Sequence, residues 1–214
     1  MSLFISFEGV EGSGKSTQIN LLQQYFNSKN KEVTITKEPG GTSLGIELRK
    51  ILLDSRYQFH SQYTEILFFT ADRLEHIAQV IKPSLTQNKI VICDRFIDST
   101  VAYQEGGRQI SGHIIDSLLT LVDIKPDITF LLDIDTEKGL LRARKRVAVG
   151  EALEESEFDR FEHEQLQFHH RIRNRYLKLA KEESDRIKVI SITDQTPEII
   201  FQEILTYFPK DLRS

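Results

Sequence analysis

Apolar residues in this chain fall into two kinds of run. Short continuous runs occupy Leu3–Phe7, Val33–Thr36, Ile90–Cys93, Ile128–Ile134 and Ile187–Ile192, each the length of a strand buried on both faces. Between them apolar positions recur at helical spacing, as in Ile19, Leu22 and Phe26, or Ile66, Phe69 and Leu74 followed by Ile77 and Ile81. Strand and helix alternate. That order predicts an α/β fold: a parallel five-stranded sheet flanked by helices on both faces, with ligands beyond the carboxyl ends of the strands. Pro83 is expected to bend or end the helix around it, and Thr196-Pro197 reads as an N-cap followed by proline at the first helical position. Across Val147–Glu157 the periodicity disappears into Ala, Gly and Glu, which reads as a mobile, acidic surface loop.

Composition narrows the class. The 214 residues suit a single domain, 1–214, that buries roughly 70% of its unfolded surface. A formal charge of -4 argues against wrapping nucleic acid through general basicity. The single Cys93 has no disulfide partner and reads as a buried, reduced thiol. No apolar run approaches the roughly 20 residues of a membrane span, and the N-terminus carries no charged leader. The expected setting is therefore cytoplasmic, with neither export nor insertion.

The first strand runs into Gly9-Val10-Glu11-Gly12-Ser13-Gly14-Lys15-Ser16, which fits the G-x-x-x-x-G-K-[ST] phosphate loop in its required strand-to-helix setting. Glycines let successive N–H groups turn toward phosphate oxygens, and the helix that follows presents its positive dipole end. Lys15 is expected at the β- and γ-phosphates. The Ser16 hydroxyl is expected at Mg²⁺, which is held mostly by phosphate and water oxygens. Gly9, Glu11, Gly12, Ser13, Gly14, Lys15, Ser16 and Thr17 form the expected ATP site.

A phosphate loop alone does not choose among switch, motor, transporter ATPase and kinase. The chain has no Asn-Lys-x-Asp and no Asp-x-x-Gly element, so a guanine-specific switch is disfavoured. Its compactness leaves little room for a motor's coupling surface. A small-molecule kinase remains. When the acceptor is itself a phosphate, further cations are needed, and Arg49, Arg73 and Arg95 fall near expected strand ends. Asp94 is placed to orient magnesium-bound water. A second cluster, Arg142, Arg144 and Arg146, with Arg160 beyond the acidic loop, puts Arg142 and Arg146 on one helix face. Its plain alternative is a solvated face balanced by Glu151, Glu154, Glu155 and Glu157. A deoxynucleoside kinase, another monophosphate kinase and a nucleotide-dependent switch without transfer activity stay open at this level.

The segments together resemble bacterial thymidylate kinases, nucleoside monophosphate kinases that convert dTMP to dTDP with ATP. The resemblance rests on Phe7-Glu8-Gly9 leading into the phosphate loop, Glu38-Pro39-Gly40-Gly41-Thr42, Phe69 with Arg73, Asp94 to Thr100 with Ala102-Tyr103-Gln104, Arg142-Ala143-Arg144 and Asp159-Arg160-Phe161-Glu162. It implies the phosphate-loop, monophosphate-kinase type of fold, with a lid region at about 142–160. It also implies a dTMP site of Glu11, Glu38, Pro39, Arg49, Phe69, Arg73, Arg95, Thr100, Tyr103 and Gln104. In that likeness Phe69 stacks on thymine, Gln104 and Thr100 read the base edge, Tyr103 lies against the deoxyribose, and Glu11 meets the sugar 3′-hydroxyl. Glu38 stands beside the metal and acceptor region.

The chemistry so implied needs no general base, because an acceptor phosphate is already an anionic nucleophile. The expected catalytic residues are Lys15, Arg95 and an arginine among Arg142, Arg144 and Arg146, with Ser16 and Asp94 at the metal. Val10, Glu11, Gly12 and Ser13 leave no arginine in the phosphate loop, which resembles the members whose catalytic arginine lies in the lid. The likeness also implies a homodimer, for which helices over Ile66–Ile81 and Ile114–Val122 are candidate faces.

Overall fold

A computed structural model describes residues 2–148, 160–161, 164–209 and 212, the side chains of 146–148 excepted. Its elements follow the expected alternation: β1 (Leu3–Glu8), α1 (Lys15–Ser28), β2 (Val33–Lys37), α2 (Ser43–Leu53), α3 (Thr64–His76), α4 (Lys82–Thr86), β3 (Ile90–Asp94), α5 (Ile97–Thr100), α6 (Gly112–Leu119), β4 (Ile128–Ile134), α7 (Thr136–Ala148), α8 (Leu166–Glu182), β5 (Ile187–Ile192) and α9 (Pro197–Thr206). All strand pairs are parallel, in the order β2-β3-β1-β4-β5. The chain leaves β1 toward one edge of this sheet and β3 toward the other. Between these two strand ends lies the crevice where an open parallel sheet receives its ligand.

Two π-helical stretches depart from the simple helical reading. Ile77–Ile81 joins α3 to α4, and Val101–Gly107 continues α5. Pro83 sits in the first turn of α4, directly after the π-helical stretch, and the helical chain continues past it to Thr86. Thr196 and Pro197 take the expected N-cap and first-turn positions of α9. Helical backbone runs through Ala148, two residues into the stretch expected to be a loop from Val147. The rest of that stretch, 149–157, lies outside the described residues.

Strand alternation divides the core between the two faces. Ile5, Phe7, Ile90 and Ile92 pack in the cluster that holds Ile19, Leu22 and Phe26 of α1, while Phe4, Val91 and Cys93 pack with Ile77, Ile81, Phe96 and Ile97. Cys93 is buried and free, and burial pushes its thiol well above the usual range. Within the second face Ser6 bonds Thr129 at 2.6 Å, Thr129 donates to Asp98 at 3.1 Å, and Arg186 grips Asp98 through two bonds of 2.8 and 2.7 Å. This buried network ties β1, β4 and the turn before β5 to the segment after β3.

The phosphate loop rests directly on α7. Gly12 has φ +71, and a Cβ there would lie 2.0 Å from the Gly139 carbonyl oxygen; a Cβ on Gly139 would lie 2.6 Å from that of Glu11. Both contacts are backbone against backbone, so neither can yield by side-chain rotation. Replacing a helical glycine by alanine normally stabilises by about 1 kcal/mol, whereas forcing a methyl into a filled space costs about 1–3 kcal/mol. Gly139→Ala should therefore lower the melting temperature of the ligand-free protein. A rise would mean that loop and helix can separate freely.

Candidate active site

Lys15 opens α1 and folds back over its own loop, donating to the carbonyl oxygens of Gly9 at 3.1 Å and Val10 at 3.4 Å. Burial, then the nearby Arg95 guanidinium, lower its pKa to about 8 against the pull of Asp94, Glu11 and Glu8. An ammonium held by two neutral carbonyls is poised to exchange them for an anion.

Arg95 stands one residue beyond β3 with φ 70, a left-handed backbone that costs a non-glycine residue roughly 1–2 kcal/mol. Its amide donates to Phe7 at 2.9 Å, which fixes the turn against the end of β1. The guanidinium reaches Glu11 Oε1 at 3.1 Å, Ser99 Oγ and the Tyr176 hydroxyl at 3.3 Å each, and lies 4.9 Å from the Tyr103 ring centroid. Behind it, Glu8 accepts from the Phe96 amide at 2.7 Å, Ser99 at 2.6 Å and Tyr176 at 2.7 Å. Burial and the proximity of Asp98 nevertheless push the Glu8 carboxyl up to about 7.

Glu11 is the carboxylate of the loop that lines the cavity. Tyr103 donates to its Oε1, but Oε2 is buried with no hydrogen-bond partner among the described residues. His169 Nδ1 stands 3.6 Å from that oxygen. Burial alone would raise this carboxyl; His169, Arg95, Lys15 and Tyr103 outweigh it and hold it well below the usual range. Ionised and lining the cavity, Glu11 presents an acceptor-only group that suits a ligand hydroxyl.

Farther from the loop, Arg73 of α3 is buried and fully engaged. It bonds Glu38 Oε2 at 2.8 Å, Thr100 Oγ1 at 2.6 Å and the Phe96 carbonyl at 3.0 Å. Glu38 also meets His76 Nδ1 at 2.9 Å, and Arg49 donates to the Pro39 carbonyl at 3.1 Å. Gln104 and Phe69 close this end. One cavity runs from the loop, through Lys15, Asp94 and Arg95, to Arg73, Thr100, Tyr103, Gln104 and Phe69. Arg49, Glu38, Pro39 and Glu11 line it as well. Every residue of the expected acceptor site therefore faces one space.

Other expected residues do not. Gly9 is buried behind the loop, where its carbonyl holds Lys15, and Thr17 points to solvent; neither lines the cavity. Arg142 and Arg144 are exposed on α7, away from the cavity, and the side chain of Arg146 lies outside the described residues. Arg160, expected in the lid region, turns toward Glu65, bonding it at 2.6 Å and the Leu52 carbonyl at 3.1 Å. Conversely, Phe161 lines the cavity, and Tyr176, His169 and Glu65 support it without having been singled out in sequence. Tyr176 and His169 come from α8, far along the chain, and carry no local motif.

The donor set fits a divalent metal brought in with nucleotide. Asp94 Oδ1 is buried without a hydrogen-bond partner, and Asp94 and Ser16 line the same cavity. Among the described residues no group of three or more His, Cys, Asp or Glu side chains is arranged to hold a metal ion by itself.

Comparison with known proteins agrees with this geometry. The thymidylate kinase family model matches residues 7–204. The thymidylate kinase of Pelobacter propionicus is 43% identical over 93% of this chain and 90% of its own, and that of Maridesulfovibrio salexigens 44% identical over 94% and 93%. The crystal structure of thymidylate kinase from Ehrlichia chaffeensis superposes with a TM-score of 0.75 at 37% identity, covering 96% of this chain and 97% of that one. A family match across nearly the whole length, on a sheet whose cavity joins a phosphate loop to an arginine-lined pocket, places the chain in the thymidylate kinase family of nucleoside monophosphate kinases.

Proposed function

We propose that the chain transfers the γ-phosphoryl group of magnesium ATP to dTMP, giving dTDP and ADP, and so serves the supply of dTTP for DNA synthesis in the cytoplasm. The observation that carries this reading is the single cavity that joins Lys15 to Tyr103, Gln104 and Phe69 past Arg95. An enzyme that only hydrolysed nucleotide would have no use for an aromatic plate and an amide at its far end.

In this reading an oxygen of the dTMP phosphate attacks the γ-phosphorus in line. A new P–O bond forms there as the bond from that phosphorus to the β–γ bridging oxygen breaks, and ADP leaves with the electron pair. Lys15 follows the β- and γ-phosphates, and Arg95 neutralises the acceptor phosphate. Glu11, which lines the cavity, accepts from the sugar 3′-hydroxyl and leaves Tyr103 to crowd a 2′-substituent. Phe69 stacks on the base, and Arg49, Arg73, Glu38 and Pro39 shape the acceptor side. Magnesium, held with the nucleotide by Ser16 and Asp94, supplies further charge neutralisation at the phosphates. Residues 1–214 act as one kinase domain whose lid, about 142–160, contributes an arginine from Arg142, Arg144 or Arg146. No helix among the described residues is long and apolar enough to cross a membrane. Exposed Leu67 and Leu74 on α3, beside Leu44 and Ile46 on α2, are the apolar surface we assign to a homodimer contact.

Two outcomes follow. Lys15→Ala should lower kcat by about 10²–10³-fold or more, the loss expected for a preorganised donor at developing charge, while the melting temperature stays close to that of the unaltered protein. Near-normal turnover would remove Lys15 from the reaction. At fixed magnesium ATP, kcat/KM should rank dTMP first, then dUMP, then UMP and dCMP. Losing the 5-methyl costs roughly 1 kcal/mol, whereas a mismatched buried polar edge costs about 1–3 kcal/mol for each unsatisfied group. A preference for dCMP or UMP would overturn the acceptor assignment and leave the kinase assignment standing.

A further inference from the structure

The amide of Gln104 can read a base only if it is held one way round. An imide edge, as in thymine, presents an N3–H donor between two carbonyl acceptors; the cytosine edge presents an N3 acceptor beside an amino donor. An amide with its oxygen toward N3 favours the first, and the flipped amide favours the second. Gln104 cannot choose by itself.

Glu65 makes the choice. This residue lies in the first turn of α3 and is buried. Its Oε1 accepts from Gln104 Nε2 at 3.1 Å and from Arg108 Nε at 3.2 Å; its Oε2 accepts from Arg108 Nη2 at 3.1 Å and from Arg160 Nη2 at 2.6 Å. With two guanidiniums against it, the carboxylate offers only acceptors, so the group Gln104 turns toward it must be the NH₂. The carbonyl oxygen of the amide is then directed elsewhere. Among the described residues it has no hydrogen-bond partner, and although Gln104 is buried its side chain lines the cavity without being fully enclosed there. That oxygen is therefore open to a ligand. Four residues earlier and lining the same cavity, Thr100 has its Oγ1 accepting from Arg73 at 2.6 Å, which leaves the hydroxyl hydrogen to donate. An acceptor next to a donor complements N3–H next to a carbonyl.

The geometry points to Glu65 as the positioning residue that sets imide over amidine selectivity, by locking the Gln104 amide with its oxygen toward the acceptor base. The inference rests on the proposed dTMP kinase reading and extends it to a residue outside the cavity. A purely structural role would make Glu65 the clasp joining α3 to Arg108 and Arg160, with equal effects on every acceptor.

The test is the ratio of kcat/KM for dTMP to that for dCMP in the full chain. In Glu65→Gln the new side chain can offer Gln104 either an oxygen or an N–H, and the ratio should fall about tenfold or more, chiefly through loss on dTMP. Glu65→Asp keeps the charge for both arginines but withdraws it from Gln104; it should lower the ratio with little change in melting temperature, and it decides the matter should Glu65→Gln fail to fold. Arg108→Gln loosens the same clasp without touching Gln104 and should leave the ratio within about twofold. An unchanged ratio in the Glu65 variants, or an equal shift in Arg108→Gln, overturns the inference. If the unaltered protein does not convert dTMP with ATP, the underlying reading fails instead, so the two failures are separable.

Discussion

Lys15 and Arg95 carry like charge at the ends of adjacent strands, and neither can withdraw. Phe7 of β1 is in register with Asp94 of β3, and the Arg95 amide is bonded to the Phe7 carbonyl, so the backbone itself brings the two cations together. Away from bulk water their repulsion is stronger than it would be at a surface. It contributes to the lowered pKa of Lys15. Glu11 and Glu8 answer part of it, and the rest is available to incoming phosphates. In the proposed reaction, cations held in place before the substrates arrive stabilise the charge that develops as the phosphoryl group moves without having to reorganise.

The surrounding carboxylates show the same logic. Glu38 takes Arg73 and His76, Glu11 takes Arg95, and Glu65 takes Arg108 and Arg160. Buried ion pairs of this kind add little net stability, because desolvation offsets most of the attraction, but removing one partner leaves the other stranded. Their contribution here is positional. Glu38 and Glu11 hold Arg73 and Arg95, which line the cavity, and Glu65 holds the Gln104 amide there; the left-handed backbone at Arg95 is tolerated because its neighbours determine it so fully.

Much of this was legible in the sequence because it is local. The five strands were readable as continuous apolar runs, with ends off by a residue at most in β1, β2 and β3. The phosphate loop is contiguous, and Arg73 in the last turn of α3 and Arg95 just past β3 sit at element ends, while Arg49 lies within α2. What was not legible depends on packing between distant segments. Tyr176 and His169 reach the site only because α8 lies against the helical turns after β3. Glu65 looks like an ordinary first-turn acid, and Gly139 like a weak point in a helix, until the loop is seen resting on it. The π-helical stretches escaped for a related reason: their extra residue follows from tertiary fit, which leaves no trace in apolar periodicity. Arginine spacing along α7 gave a shared face for Arg142 and Arg146 but no direction for it.

In the proposed reaction one cavity holds donor and acceptor anions together across Lys15 and Arg95. The most direct measurement is the affinity, by titration calorimetry with magnesium, of a compound joining adenosine and thymidine through a phosphate chain. Linking the two halves should give binding about 10²–10⁴-fold tighter than ADP or dTMP alone, with added dTMP competing and affinity weakening as salt rises. Binding no tighter than ADP, or dTMP still binding at full strength beside the linked compound, would contradict a single shared site.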